Sequence, residues 1–194
     1  MTSPDHPEQR IKEGFLRLLE QKGYRSLSIA SLATSSDMSR SNLYRYFTNK
    51  REIFNAVCDD LFDEFYAEME QNMELADTFE LQPVIKLIYV ILGSNASKLR
   101  LLLDCNENDM FYLRCRQYIR RIIGHYALAN EVKITDADYI SLVTDHISGS
   151  LYHVFVSWLE GGMKYTPAQL ASMHATLIRP GLLGENELQP SSTT

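Results

Sequence analysis

The strongest constraint on this chain is the spacing of its apolar residues. Ile53, Val57, Leu61, Phe65 and Met69 recur every four residues, while Asp59, Asp60, Asp63 and Glu64 occupy other faces. That period puts one apolar stripe on a long helix. The same spacing recurs in Ile11, Phe15, Leu18 and Leu19, in "PVIKLIYVILGSNASKLRLLL", and from Asp109 to about Ala129. A strand would need apolar and polar residues to alternate, and no segment does so. The spacing therefore predicts an all-α chain without internal repeats.

Boundary residues agree with that reading. Gly23 stops the first helix, and Ser28 is placed to cap a second over "IASLATSS". Ser39 caps a third that continues through Leu43, Tyr44 and Phe47. Asn49, with Glu52 three residues on, forms a capping box for the long helix. Thr135 is placed to cap a run to Glu160 that Gly161 and Gly162 end. Thr166, Pro167 and Gln169 open the last helix as cap, first residue and box partner. The polar "MTSPDHPEQR" and "NELQPSSTT" read as disordered arms. No stretch approaches eighteen apolar residues, so no membrane span or membrane partner is expected.

The 194 residues suit one or two small domains. Net charge is −6, but it is unevenly distributed. Residues 1–51 hold nine Lys or Arg against five Asp or Glu; the remainder holds ten against twenty. A polyanion can therefore be met only by the first quarter of the chain. That quarter contains "MSRSNLYRYFTNK", which is basic, aromatic and polar-tipped. Two short helices joined by a tight turn suggest a helix-turn-helix, whose second helix presents its N-terminal residues to base edges. Ser39, Arg40, Ser41 and Asn42 form that first turn. Arg40 suits guanine or phosphate, and Asn42 adenine or phosphate. Tyr44, Arg45 and Tyr46 follow one turn later, and Lys50 opens the next helix as a further phosphate contact. Leu32, Ala33, Met38, Leu43 and Phe47 would hold the unit together. A solvated basic face on an ordinary amphipathic helix is the plainer alternative, and the spacing and charge asymmetry favour DNA.

The residues from Gly23 to Phe54 resemble the DNA-binding domain of the TetR family of transcriptional regulators. The resemblance rests on Gly23 and Ser28 around the second helix's start, on Leu32-Ala33 within it, on Ser39, and on "LYRYFTNK" from Leu43 to Lys50. Asp37 stands where the family usually has a turn glycine, and Asp tolerates the left-handed conformation such a turn needs. A second, weaker resemblance is the Trp-Leu-x-x-Gly pattern from Trp158 to Gly162. The resemblance implies a DNA-binding domain over 7–54, with Ser28 among its DNA contacts, and a helical effector-binding and dimerisation domain over 55–184. It also implies that the last two long helices form a four-helix bundle between subunits.

Leu151 to Leu159 is apolar on almost every face, which suits burial on both sides. Leu151, Phe155, Trp158, Leu170 and Leu177 are the dimer-interface candidates. Met110, Phe111, Tyr118, Tyr126, His146 and His153 are candidates for lining a pocket that binds an unidentified small-molecule effector. His146 and His153 with Asp145 or His125 could hold a metal, but hydrogen-bonded histidines are the better reading, and no metal or cofactor is expected. Cys58, Cys105 and Cys115 lack a CxxC pairing and read as buried thiols in a reducing cytoplasm rather than as a redox sensor.

No catalytic motif is present, so an enzyme is not expected. The reading is a cytoplasmic, homodimeric, ligand-responsive regulator, most simply a repressor, on a double-stranded palindromic operator. A protein-binding coactivator of the same fold that does not touch DNA is the alternative; salt-dependent duplex binding separates the two.

Overall fold

The structure is a computed structural model and describes residues 6–74, 81–105, 107–129 and 137–182. The described residues are helical throughout, without strands. In chain order they form α1 (Pro7–Lys22), a 3-10 turn (Tyr24–Ser26), α2 (Ile29–Ser35), α3 (Arg40–Leu43), α4 (Lys50–Glu74), α5 (Leu81–Ser94), α6 (Ala96–Leu103), α7 (Asn108–Ala129), α8 (Ala137–Glu160) and α9 (Pro167–Leu182). Packing divides them into two compact units. One is the chain through Tyr66 together with Ala96–Cys115; the other is Ala67–Asn95 together with the chain from Arg116. The two arms read at the ends, apart from residues 6–10, and the Thr135 cap lie outside the described residues.

In the first unit, α1, α2 and α3 make the helix-turn-helix. Ile11 and Phe15 of α1, Leu32 of α2, Leu43 of α3 and Phe47 are all buried, and α2 packs against both α1 and α3. Gly14 permits that approach: a Cβ there would stand 2.6 Å from Ser36 Oγ. The C-terminal carbonyls of α2 are capped from α1. Arg10 donates to the carbonyls of Ser36 (2.7 Å) and Asp37 (2.8 Å), and Arg17 to that of Ser35 (2.8 Å). Gly23 ends α1 at φ 71°, and Asp37 makes the turn at φ 52°, the left-handed conformation expected of it.

The caps form locally, as the residue types dictate. Ser28 Oγ accepts from Ser31 N–H at 3.1 Å, and Ser31 returns the bond to Ser28 N–H. Ser39 Oγ accepts from Asn42 N–H at 3.2 Å. Asn49 Oδ1 caps α4 through Glu52 N–H, but the Glu52 carboxylate reaches back one residue further, to Thr48 N–H at 2.7 Å. The recognition segment differs from expectation. Only Arg40–Leu43 is α-helix. Arg45 and Tyr46 donate to the carbonyls three residues back, tightening the chain so that Phe47 is buried before α4 begins.

In the second unit α5 packs along α9, with α8 alongside. Trp158 is seated by Gly93, where a Cβ would lie 3.1 Å from its ring, and by Tyr89 edge-on at 5.9 Å. Its indole N–H donates to Tyr165 O at 2.9 Å across the turn after α8. Gly162 supplies the positive φ, 75°, that this turn needs. Thr166 and Gln169 form the expected capping box on α9.

Candidate nucleic-acid interface and ligand cavity

The basic residues of the first quarter divide by what they touch. Arg10 and Arg17 cap α2. Lys12 pairs with Asp60 at 2.6 Å, and Arg51 with Glu107 at 3.2 Å. Lys50 was expected to be a phosphate contact. The structure places its ammonium on the carbonyls of Tyr24 (2.9 Å) and Leu27 (3.4 Å) and over the Tyr24 ring, so it first ties α4 to the 3-10 turn. Among the described residues, Arg25, Arg40 and Arg45, like Lys22 at the end of α1, have exposed side chains with no ion pair or hydrogen bond.

These three arginines accompany the expected recognition residues. Ser28, Ser39, Ser41, Tyr44 and Tyr46 are exposed and Asn42 is half-buried. Tyr44 is 53% exposed, large for an aromatic residue in a helical unit. Directly beneath, Leu43 is fully buried. The segment thus presents hydroxyl, amide, phenol and guanidinium groups on a rigid apolar footing, which is what hydrogen bonding to phosphates and base edges requires. Arg25, on the 3-10 turn just before Ser28, was missed from the sequence. Nothing local separates it from Arg10 and Arg17, which are spent on structure.

The second unit has a partly open aliphatic cavity of about 50 Å³. Leu81, Val84, Ile85 and Ile88 of α5, Ile119, Ile122 and Ile123 of α7, Ile147 and Leu151 of α8, and Ile178 of α9 line it. No polar side chain contributes. Water inside would lack partners, so the cavity favours hydrocarbon. Beside it, a buried polar chain joins three of the same helices. Tyr89 Oη lies 2.6 Å from His174 Nδ1, and His174 Nε2 lies 3.2 Å from Ser150 Oγ. Burial, and then the nearby His146, hold the His174 pKa below its usual value.

None of the expected pocket residues lines this cavity. Phe111 packs on Phe62 at 5.3 Å in the first unit, which also contains Met110. Tyr118 is buried in the second unit, and the Tyr126 side chain lies outside the described residues. His146 and His153 are exposed on α8; Asp145 pairs with Arg116, and His125 lies 3.9 Å from Glu70. No group of three potential metal ligands occurs among the described residues. Burial pushes the thiols of Cys58, Cys105 and Cys115 up to about 12. Of the interface candidates, Leu151, Phe155, Trp158 and Leu170 are buried within a single chain, and Leu177 is 75% exposed. His174 was overlooked, although Ala171, Ala175 and Ile178 place it on the buried face of α9.

A helix-turn-helix with an exposed basic and aromatic face, joined to a helical region with an aliphatic cavity, is the architecture of a DNA-binding transcriptional regulator. The family model for bacterial regulatory proteins of the tetR family matches residues 13–57, and that for a transcriptional regulator C-terminal region matches residues 80–180, just over half of the chain. The chain belongs to the TetR family of transcriptional regulators. The HTH-type transcriptional repressor ComR of Escherichia coli (strain K12) is 36% identical over 58 residues, which are 30% of this chain and 28% of that protein. A TetR-family regulator from Streptomyces coelicolor superimposes with a TM-score of 0.69 at 14% identity, covering 90% of this chain and 96% of that one. FadR of Thermus thermophilus, solved with lauroyl-CoA, gives 0.66 at 14% identity, covering 94% and 98%. FadR of Bacillus subtilis, solved with stearoyl-CoA, gives 0.59 at 16% identity, covering 90% and 98%. Among the described residues no helix is long and apolar enough to cross a membrane.

Proposed function

We propose that this protein is a homodimeric repressor that binds a palindromic operator through residues 7–54 and senses a small molecule with a hydrocarbon chain through residues 55–184, acting in the cytoplasm. The observation that carries the DNA reading is the exposed set Ser39, Arg40, Ser41, Tyr44 and Arg45 standing on buried Leu43 and Phe47. Repression is supported by the similarity of this region to ComR, a transcriptional repressor. Dimerisation is supported by apolar side chains left in solvent on the last two helices: Tyr139 and Leu142 on α8, Met173 and Leu177 on α9. The effector class is supported by the wholly aliphatic lining of the cavity, and two proteins of similar fold were solved with acyl-CoA. A ligand that favours one spacing of the two recognition segments would shift the dimer toward or away from half-sites set about one helical turn, about 34 Å, or a multiple of it apart.

The test is duplex binding measured against salt. A sequence-selective complex whose affinity falls steeply with salt, and which Arg40→Ala weakens, supports the reading. Binding to a partner protein with no affinity for duplex DNA would replace it with the coactivator alternative.

A further inference from the structure

Thr144 of α8 is fully buried, and its hydroxyl makes no hydrogen bond among the described residues. Ser36 Oγ, in the first unit, is the other buried side-chain polar atom of the described residues left in that state. A threonine inside a helix ordinarily returns its hydroxyl to the carbonyl four residues back. Thr34 does so to Ala30 O at 3.1 Å and Thr176 to Ser172 O at 2.9 Å, although both are exposed and have water as an alternative. Thr144, which has no access to water, does not. An unpaired hydroxyl in the interior costs stability, so its retention calls for an explanation.

Its place on the helix shows what adjoins it. Residues three and four apart are neighbours on a helix surface, so Thr144 adjoins Ile147 and Ser148 and shares a stripe with Leu151. Ile147 and Leu151 line the aliphatic cavity of the second unit. Thr144 is not part of that lining. It stands one position past it along α8, about 4.5 Å from Ile147 at 1.5 Å per residue. The hydroxyls further along the helix do have partners. Ser148 donates to Asp145 O at 3.4 Å, and Ser150 belongs to the Tyr89–His174 chain.

We infer that the effector carries an uncharged oxygen on its hydrocarbon chain, as an alcohol, ketone or ester, and that Thr144 is the residue that selects it. This rests on the proposed reading of the cavity as the effector site. The aliphatic lining takes the carbon chain, and Thr144 supplies a hydrogen-bonding group beside it. A threonine hydroxyl donates to a carbonyl and accepts from an alcohol, so it serves each of these oxygens. A carboxylate does not fit, because the lining holds no cation and no polar group to offset its desolvation. A plain hydrocarbon would fill the cavity and leave the hydroxyl unpaired.

The experiment uses the full chain and two probes, 1-hexanol and n-hexane, which share a carbon chain and differ by one oxygen. The emission of Trp158, the chain's single tryptophan, reads probe binding in the second unit, and the thermal midpoint reads stability. Thr144→Val keeps the branched shape and removes the hydroxyl. It should weaken 1-hexanol binding about tenfold and leave n-hexane binding unchanged. Without a probe, its midpoint should rise by about 2–4 °C, because the unpaired group is gone. Thr144→Ser keeps the hydroxyl and should bind both probes in the wild-type ratio. A lower midpoint in Thr144→Val, or failure to fold, would mean that the hydroxyl already has a partner within the chain, and would overturn the assignment. So would a Thr144→Val protein that loses affinity for both probes alike or for neither; the effector reading would then stand without Thr144. If the wild type binds neither probe, the cavity is not the effector site, and the proposed reading fails together with this one.

Discussion

Acidification should weaken the buried junction of α5, α8 and α9, and its hydrogen bonds set the sign. Ser150 donates its hydroxyl to Ile147 O at 3.0 Å, so its oxygen is left to accept from His174 Nε2–H. At 2% exposure water cannot compensate a charge on the ring, so burial favours the neutral form, in which Nδ1 accepts the Tyr89 O–H. Burial, and then His146, hold the folded-state pKa below the ordinary value. The unfolded chain takes up its proton near pH 6.5, and the folded chain only at lower pH. Stability is therefore complete above about pH 6.5. Below it, stability is lost at up to about 1.4 kcal/mol per pH unit until the folded pKa is reached. Other groups titrate too, so the informative quantity is the difference between the wild type and His174→Asn. At pH 8 the variant should be about 1–3 kcal/mol less stable, because the Tyr89 hydroxyl and Ser150 lose buried partners. The gap should narrow as pH falls from 6.5 to 5, since only the wild type carries the acid penalty. Urea unfolding followed by Trp158 emission at pH 8, 7, 6 and 5 measures it. A gap that stays constant over that range would refute the neutral, buried assignment of His174.

Three further outcomes follow from the same packing. Arg40→Ala should cost about 1–3 kcal/mol in binding if Arg40 reads a base, and should relax preference at one position per half-site; Arg25→Ala and Arg45→Ala should weaken all duplexes alike and each lower the salt slope by about 1, read by anisotropy titrations. Leu177→Glu should dissociate the dimer while leaving the thermal midpoint of the monomer nearly unchanged, whereas Phe155→Glu, placed in the core of one chain, should unfold it. Light scattering paired with circular dichroism separates these outcomes. Gly14→Ala should destabilise by about 1 kcal/mol, a clash with Ser36 Oγ of about 1–3 kcal/mol outweighing a helix-propensity gain of about 1. Adding Ser36→Ala should turn that loss into a small gain in thermal midpoint.

The helices and their ends could be read in the sequence because the forces that make them act over three or four residues. Ser28, Ser39, Asn49 and Thr166 cap the helices that follow them through bonds to the residue three places on. Asp37 takes the left-handed turn for a reason contained in its own side chain. The period of apolar residues marked the buried faces of α1 and α4. The exposed face of the proposed recognition segment was legible for the same reason: a short, capped helix pins Leu43 inward and leaves Arg40, Ser41, Tyr44 and Arg45 exposed.

What the chain alone did not reveal are pairings across long separations. Lys50 and Arg40 look alike in sequence, yet one ends on carbonyls 23 and 26 residues away and the other in solvent. The cavity is built from branched aliphatics of four helices, and each of those residues reads locally as ordinary core. Tyr89 meets His174 across 85 residues, and Tyr24 meets Glu107 across 83. Side-chain period says which residues leave solvent, but not which residue each will find there. That choice is made when whole helices pack and every buried donor, acceptor and charge must be satisfied at once.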